Sequence, residues 1–579
     1  MSEGWIWFRS GQFGSPTLAS KNAARVGHGA SSFPAGAMRC SFGDGLGSGI
    51  LAIILSFAVA ALAPAQPAQA PASAATPSAN TEPIASREKA RITPQQAKEL
   101  FGLIDELLKF SSQETGLPIK RGVKHQLTSR DAVESYLKKK FAEDGDAKRL
   151  QSSEIVLKKF GLLDRDFDLQ PFLMALLKEQ IEAYYDSKTK SIYLLDWVDL
   201  EQQKPVLAHE LTHALQDQHT NLEKWGDQTP SSVSRNAAED YDHISRDEMD
   251  TAREAVVEGQ ATAVMMDYIL KPMGKSLIKD PEVLEALRDR MDGPGDSPVL
   301  ARAPLLLSES MLFPYREGLS FTQDLWMDQG QSAAFAGAMD HPPSSSWEIM
   351  NPREYERRRP PAVPMLPNIH PLVDPLYKPY DIGQMGELDV QIMTTLFGGE
   401  QTARDLTPAW DGGLYWAGQL RSAKTAAAQA ETKSIAIFYL SAWKNAASAR
   451  IFAQIYANNL GRKYSGLKEL NEENPATTGE EDEQLFSTNE GPVLIVTRGK
   501  LVFVAESFDL PLARKLAELL LDAQGTGELQ RARTISPKPM GAPGLASETG
   551  EPLTAGLVRF FSHCGVMKAA VDASLRVSR

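Results

Sequence analysis

The chain has 579 residues, more than one hydrophobic core usually holds, so its length predicts two or three folded units with connecting segments. Hydrophobic residues make up 42% and charged residues 23%, which excludes a chain that is disordered throughout. The formal net charge of −13 argues against a nucleic-acid partner, because nucleic-acid binders concentrate Lys and Arg to neutralise phosphates.

Residues 1–70 are expected to be a signal peptide. Their longest apolar run, residues 50–63, is shorter than the roughly 20 residues that cross a bilayer, and residues 68–70 have the A-x-A form that signal peptidase accepts. The segment before this run is long for a signal peptide, so translation is expected to start at Met38. We expect a secreted or periplasmic protein, with membrane attachment only if the segment is retained as an anchor.

The cysteine content predicts no disulfide. Cys40 lies within the expected signal peptide and Cys564 lies near the C-terminus, so the mature chain would keep a single thiol. A chain of this size can rely on its hydrophobic core instead.

The first folded domain is predicted over residues 91–356, after a disordered Pro/Ala/Ser linker at 71–90. Thr93 can cap a first helix, and Pro94 suits the first helical position. Apolar residues at helical spacing predict two or three further helices up to about residue 180.

The period then changes to that of a β-hairpin over residues 181–196, which is followed by a helix over 204–219. Ser345 and Glu348 have the spacing of a capping box for a short helix. Other helices are predicted at 246–270, 281–291 and 303–340.

Residues 357–379 are predicted to be a linker, so rich in proline that no helix or central strand can form there. A smaller α+β domain is expected over 380–523, and a flexible tail over 524–579. The predicted fold class is therefore α+β, with a mainly helical first domain that carries a short β-hairpin or sheet. Within the second domain, strands are predicted at 412–420, 434–442, 492–499 and 500–507, and helices at 443–459 and 510–522.

An H-E-x-x-H motif, formed by His209, Glu210 and His213, lies within the helix predicted at 204–219. His213 is about 40° round the helix from His209 and one turn further along, so both imidazoles can reach one ion. Glu210 is beside them, where a carboxylate can take a proton from water bound to zinc. The motif predicts a Zn2+ site with two histidine ligands and Glu210 as general base. The structural alternative is a helix with two partly buried histidines and an exposed glutamate.

Catalytic zinc normally takes three protein ligands, so a third is expected. Asp217 lies one turn after His213, and its short side chain is better placed to orient a ligand histidine than to bind. His219 has the spacing of the third metzincin ligand, but on a continuing helix it would point about 280° round from His209. Metzincins break that helix at a glycine, where this chain has Gln216.

The helix predicted at 246–270 offers a carboxylate as third ligand. Glu254 and Glu258 are one turn apart on one face, so one can bind while the other orients a histidine. Glu258 is favoured because Gly259 removes a side chain where helices must approach closely. Glu254 stays open as the alternative, as does a solvated face in which neither binds.

Two segments resemble zinc peptidases of the gluzincin type. A-H-E-L-T-H-A-x-x-D at 208–217 is similar to the active-site helix of thermolysin-like peptidases. E-G-x-A at 258–261 resembles the segment that supplies the third ligand in gluzincin aminopeptidases. Residues 209–219, 253–259 and 342–349 together resemble a group of uncharacterised exported bacterial proteins with H-E-L-T-H-A-L-Q-D-Q-H, R-E-A-x-x-E-G and P-P-x-S-x-x-E-I. The resemblance implies a zincin-like catalytic domain.

The predicted function is that of an exported zinc metallopeptidase acting on a protein or peptide substrate. Its oxyanion donor would be one of Tyr241, His243, Tyr315 and His341, and the sequence selects none of them. One alternative is a zinc-binding envelope or partner-binding protein of zincin fold without general proteolytic activity. Another is a zinc hydrolase acting on a non-peptide amide. Glu210 favours the enzymes, because a purely structural zinc site needs no base.

Overall fold

The structure is a computed structural model. It describes residues 91–143, 145–226, 228, 236–277, 280–291, 297–470, 481–525, 529, 557–558, 561 and 566–577. The expected signal peptide with its start at Met38, the linker at 71–90 and both cysteines lie outside these residues. Within the described part of the chain, no helix has the length and apolar character needed to cross a membrane.

The described chain opens with five helices. Thr93 accepts a hydrogen bond from the Gln96 backbone N–H, the Gln96 side chain accepts one from Thr93 N–H, and Pro94 takes the first helical position. The predicted start of the first helix is thus confirmed. Helices α1 to α5 span Pro94–Gly102, Ile104–Thr115, Arg130–Glu143, Gly145–Phe160 and Leu169–Gln180.

The first sheet contains the predicted hairpin. Strand β2 (Ile181–Asp186) pairs antiparallel with β3 (Ser191–Leu195), and β1 (Lys124–Thr128) pairs parallel with β3. A hairpin is a local feature that the residue pattern reveals. The parallel strand is not, because its partner lies more than 60 residues away along the chain.

Helix α6 (Leu200–Thr220) follows β3 directly and covers the helix predicted at 204–219. Asp199 caps its start, and Asn221 ends it in the left-handed conformation with φ of 62°. Two short helices follow, α7 (Leu222–Trp225) and α8 (Ala237–Arg246). Helix α9 (Met249–Leu270) then begins three residues after the predicted start, and it packs against α6.

Helix α11 (Leu305–Gln329) also packs against α9. The single helix predicted over 303–340 is divided, because α11 ends before Gly330 and a π-helical turn, Ala333–Gly337, follows. The Ser345 hydroxyl accepts from Glu348 N–H as predicted, but the Glu348 carboxylate accepts from Ser344. The other helices here are α10 (Glu282–Met291), α12 (Ala338–Asp340), α13 (Ser346–Met350), α14 (Pro352–Glu356) and α15 (His370–Val373).

The second sheet has seven antiparallel strands in the order β4-β5-β6-β10-β9-β8-β7. The four predicted strands are the central ones, β5, β6, β9 and β10, whereas β4, β7 and β8 at the two sides were not predicted. The strands are β4 (Tyr377–Gln384), β5 (Trp410–Leu420), β6 (Ile435–Trp443), β7 (Lys468–Glu469), β8 (Glu481–Thr488), β9 (Gly491–Arg498) and β10 (Leu501–Glu506). The helices are α16 (Glu387–Gly398), α17 (Glu400–Leu406), α18 (Ala426–Gln429), α19 (Ala446–Lys463) and α20 (Leu510–Ala523).

Two expectations about irregular segments are wrong. The proline-rich segment contains the one-turn helix α15, although no helix was expected there. It also contains the start of β4, an edge strand where the absent N–H of Pro379 is tolerated and which the expectation did not exclude. Within the expected flexible tail, β11 (Val566–Met567) pairs with β2, and helix α21 (Lys568–Val577) packs against α9 and α10. The larger hydrophobic core includes residues from both sides of 357–379, such as Leu207 and Tyr439. The division into two domains stays a prediction. The α+β class is confirmed.

Candidate metal centre

Three side chains meet where α6 packs against α9. His209 Nε2 lies 3.1 Å from Glu258 Oε2 and 2.9 Å from His213 Nε2, and His213 Nε2 lies 3.6 Å from the same carboxylate oxygen. All three residues are buried, and one donor atom from each lies within 4.8 Å of the others. The structure therefore brings together the three residues that the sequence analysis favoured as ligands, and this group can hold a metal ion.

The donor atoms suit zinc in both kind and spacing. Two imidazoles and one carboxylate form a common ligand set of catalytic zinc, and tetrahedral ligand atoms about 2.0–2.1 Å from the ion lie about 3.4 Å from one another. The distances of 2.9, 3.1 and 3.6 Å bracket that value. On the far side of the His209 ring, Nδ1 has no hydrogen-bond partner among the described residues.

Burial and mutual charge perturb all three groups. Burial lowers the pKa of His209 to about 4, although the hydrogen bond of its ring to the Glu258 carboxylate opposes this shift. Burial also lowers the pKa of His213, but the Glu258 charge outweighs it and raises that pKa to about 9. For Glu258, burial raises the pKa, but the charge of His213 and the hydrogen bonds to both histidines outweigh burial and lower the pKa to about 2. A neutral His209 and an ionised Glu258 are the forms that a metal ion requires, and His213 must release a proton when an ion binds.

Glu210 and Tyr315 line the same site. Glu210 is completely buried on α6, and its charge raises the pKa values of both His213 and Tyr315. The Tyr315 ring on α11 lies 6.3 Å from the His209 ring between centroids, and its hydroxyl hydrogen-bonds to Glu258. Burial and these carboxylates raise the pKa of Tyr315 well above its usual range, so the hydroxyl keeps its proton.

Of the four candidate oxyanion donors, Tyr315 lies beside His209 and Glu258, and its role as donor stays a prediction. Tyr241 and His341 are exposed, and His341 accepts a hydrogen bond from Tyr355 through its backbone carbonyl. His243 is buried on α8.

Asp217 does not orient a ligand histidine, contrary to the expectation. Its carboxylate accepts hydrogen bonds from Arg121 at 3.0 Å, Tyr185 at 3.0 Å and Lys190 at 2.8 Å. These bonds tie the end of α6 to the hairpin and to the segment before β1. A buried carboxylate with two cations is already neutralised, so it serves the fold rather than the metal.

His219 and Glu254 lie outside the group of three donors. His219 Nε2 is 2.9 Å from Asp340 Oδ1, as expected for a histidine that points away on an unbroken helix. Glu254 is half-buried one turn before Glu258, with its carboxylate beside Gly226. The geometry supports Glu258 as the third ligand.

Gln216 fills the position that the sequence analysis expected for Asp217. Its Oε1 lies 2.9 Å from His213 Nδ1, and its Nε2 donates to Val257 O at 3.0 Å and to Gln260 Oε1 at 2.9 Å. Sequence reasoning noted Gln216 only as the residue that replaces a glycine. Its place three residues after His213, on the same helix face, is the signal that would have revealed it.

A close helix contact holds α9 in place. A Cβ on Gly259 would lie 2.1 Å from the carbonyl carbon and oxygen of Gly318, and a Cβ on Gly318 would lie 2.0 Å from Ala255 O. Gly259 thus allows a close helix approach, but its partner is α11 and not the H-E-x-x-H helix for which this approach was expected. Tyr315 lies one turn before Gly318, so this contact sets the distance between Tyr315 and Glu258.

Comparison with known proteins agrees with this geometry. A family model for the M78 peptidases, described as the IrrE N-terminal-like domain, matches residues 165–270. The match includes β2, β3, α6 and α9, and so all three donors and Glu210. Neither a curated protein nor a solved structure matches the chain. The matched region is thus similar to a zincin-like metallopeptidase domain.

Proposed function

We propose that this protein is a zinc-dependent peptidase, with His209, His213 and Glu258 as ligands and Glu210 as general base. The observation that carries the proposal is the convergence of three buried donors with a buried carboxylate beside them. A purely structural zinc site would be closed by a fourth ligand. Here, among the described residues, the group of potential ligands has three members.

The residues have separate tasks in this reaction. Bound zinc supplies a Lewis acid that acidifies water and polarises the scissile carbonyl. Glu210 accepts the proton of the attacking water and passes it to the leaving amine. Tyr315 donates a hydrogen bond to the oxygen on which negative charge develops. Its raised pKa suits this task, because the hydroxyl stays protonated at neutral pH.

The test is zinc content by elemental analysis together with casein hydrolysis, on the wild type and three variants. Glu210→Gln is expected to keep zinc and lose hydrolysis, because it removes the base and leaves the ligands. Glu258→Gln is expected to lose zinc, whereas Glu254→Gln, one turn away on the same helix, keeps it. A folded wild type without zinc would contradict the proposal. Zinc loss in Glu254→Gln but not in Glu258→Gln would identify Glu254 as the third ligand.

The burial of the site favours one second candidate function. His209 and Glu210 have no exposed surface, and Glu258 is 3% exposed, so the centre is closed to large substrates in this conformation. A zinc-binding protein that recognises a partner, without general proteolytic activity, fits such a site. Zinc in both the wild type and Glu210→Gln, with casein cleaved by neither, would favour this function.

We also propose that the protein works outside the cytoplasm. This proposal depends on the apolar run and the A-x-A site within residues 1–70 of the sequence alone. N-terminal sequencing of the mature protein tests it. Cleavage after residue 70 would support export, and an intact chain recovered from the cytoplasm would contradict it.

A further inference from the structure

We propose that Gln216 and Gln260 form an amide relay that positions His213, fixing the tautomer in which Nδ1 carries the proton and Nε2 faces the metal. This inference rests on the proposed function, because it concerns a ligand of the proposed zinc site. It adds two positioning residues that lie outside the H-E-x-x-H motif.

The orientation of the Gln260 side-chain amide is determined by its backbone partners. Gln260 Nε2 donates to two backbone carbonyls, Ala334 O at 2.8 Å and Phe335 O at 3.0 Å. Carbonyl oxygens only accept hydrogen bonds, so the end of Gln260 that faces them must be its NH2 group. Its Oε1 therefore points back towards α6 and can only accept.

The direction of every later bond follows from this end. Because Gln260 Oε1 accepts, the end of Gln216 that lies 2.9 Å away must be its NH2 group, which also donates to Val257 O at 3.0 Å. Gln216 Oε1 then faces His213 Nδ1 at 2.9 Å and must accept from it. The proton is thus held on Nδ1, and the lone pair of Nε2 is directed to the side of His209 and Glu258.

Burial makes the relay specific. Gln216 and Gln260 have no exposed surface, so water cannot replace a lost partner. An unmade hydrogen bond of a buried amide costs about 1–3 kcal/mol, which opposes any ring flip or tautomer that breaks the series. The two carbonyls belong to the π-helical turn Ala333–Gly337, so the relay ends on backbone atoms.

An amide in this position differs from the carboxylate that often supports a ligand histidine. A carboxylate would add a further negative charge beside Glu258 and Glu210 in a buried site, and Gln216 orients the ring without that charge. The relay also ties together α6, α9 and the turn after α11. Displacement of any of these elements would therefore change the orientation of the His213 ring.

The experiment compares Gln216→Leu, Gln216→Glu and Gln260→Leu with Gln218→Leu as matched control. Gln218 is a buried glutamine of the same helix whose side chain bonds to the backbone of residues 120 and 121 instead. Zinc affinity is measured by competition with a chelator on the full chain. The tautomer of His213 is followed by NMR of protein with 15N-labelled histidine.

Gln216→Leu is expected to weaken zinc binding by about 10- to 100-fold, the usual effect of losing a partner of a ligand histidine. It should also remove the hydrogen-bonded Nδ1–H signal of His213. Gln216→Glu keeps an acceptor for Nδ1–H but sets its second oxygen against Val257 O and Gln260 Oε1, so it should keep the Nδ1–H signal and show a smaller loss of zinc affinity than Gln216→Leu. Gln260→Leu is expected to weaken binding by a smaller factor than Gln216→Leu, and Gln218→Leu to leave both readouts unchanged.

Two results overturn the inference alone: wild-type zinc affinity and an unchanged Nδ1–H signal in Gln216→Leu, or an equal loss in Gln218→Leu. A wild type that binds zinc but cleaves no peptide overturns the proposed reaction and leaves the relay standing. A folded wild type that binds no zinc overturns both.

Discussion

Tyr315 can have two roles at the metal centre, as a partner that orients Glu258 and as an oxyanion donor. Its hydroxyl hydrogen-bonds to Glu258, which would orient that ligand, and under the proposed function it also donates to the developing oxyanion. The two tasks affect different quantities. Loss of an oxyanion donor lowers kcat, whereas loss of a partner of a ligand lowers metal affinity.

Tyr315→Phe is expected to lower kcat by about 100- to 1,000-fold with little change in KM, because the hydrogen bond forms only to the developing charge. Kinetics at saturating zinc measure this effect. The control is Tyr439→Phe, which also removes the hydroxyl of a fully buried tyrosine but lies on β6 of the second sheet. It should leave kcat and KM unchanged. Full recovery of kcat at high zinc would show that Tyr315 only orients Glu258.

The packing of α9 on α11 places the third donor and Tyr315 on facing helices. Gly259 and Gly318 allow the two backbones to touch, and a backbone atom cannot move aside as a flexible side chain can. The distance between α9 and α11 is therefore fixed where Gly259 meets Gly318, since neither residue has a Cβ.

Gly259→Ala is expected to destabilise the protein by about 3 kcal/mol, the upper part of the range for overpacked cores, and to lower zinc retention. The melting temperature and the zinc content after dialysis measure these effects. Gly102→Ala is the matched control, since a Cβ there meets nothing within 4 Å and φ is not positive. Equal stability of the two variants would contradict the close contact.

Local patterns predicted the elements that carry the chemistry. The hairpin, the H-E-x-x-H helix and the four central strands followed from apolar periodicity, which burial on one or both faces enforces. The pairing of β1 and β11 with the first sheet was missed, because three of the five residues of β1 are exposed and β11 is two residues long. The role of Gln216 was missed because its partners, Val257 and Gln260, come from another helix.

The N-terminus of α9 connects the metal centre to the second sheet through buried carboxylates. Glu248, which precedes α9, accepts from the backbone N–H and the hydroxyl of Ser346, and its carboxylate lies where a Cβ of Gly386 would be. The neighbouring Asp247 accepts from Gln384 N–H at the end of β4. Burial and the nearby charge of Asp389 raise the pKa of Glu248 to about 8, and burial raises that of Asp247 well above its usual range.

These shifts predict how the stability of the whole molecule depends on pH. A carboxyl with a raised pKa binds its proton more tightly in the folded state, so between the unfolded pKa of about 4.5 and the folded value of about 8 the folded chain holds more protons. The free energy of unfolding must then fall as pH rises through this window. Glu248→Gln carries no ionisable proton and keeps an oxygen to accept from Ser346, so its stability should fall less.

Urea unfolding at pH 5, 6.5 and 8 measures the difference between Glu248→Gln and the wild type, which is expected to grow in favour of the variant with each step. Glu400→Gln removes an exposed glutamate at the start of α17 and should follow the wild type at every pH. A constant difference across the three pH values would mean that Glu248 is already ionised in the folded protein. In that case another group would have to stabilise the ionised Glu248 carboxylate between α9 and the second sheet.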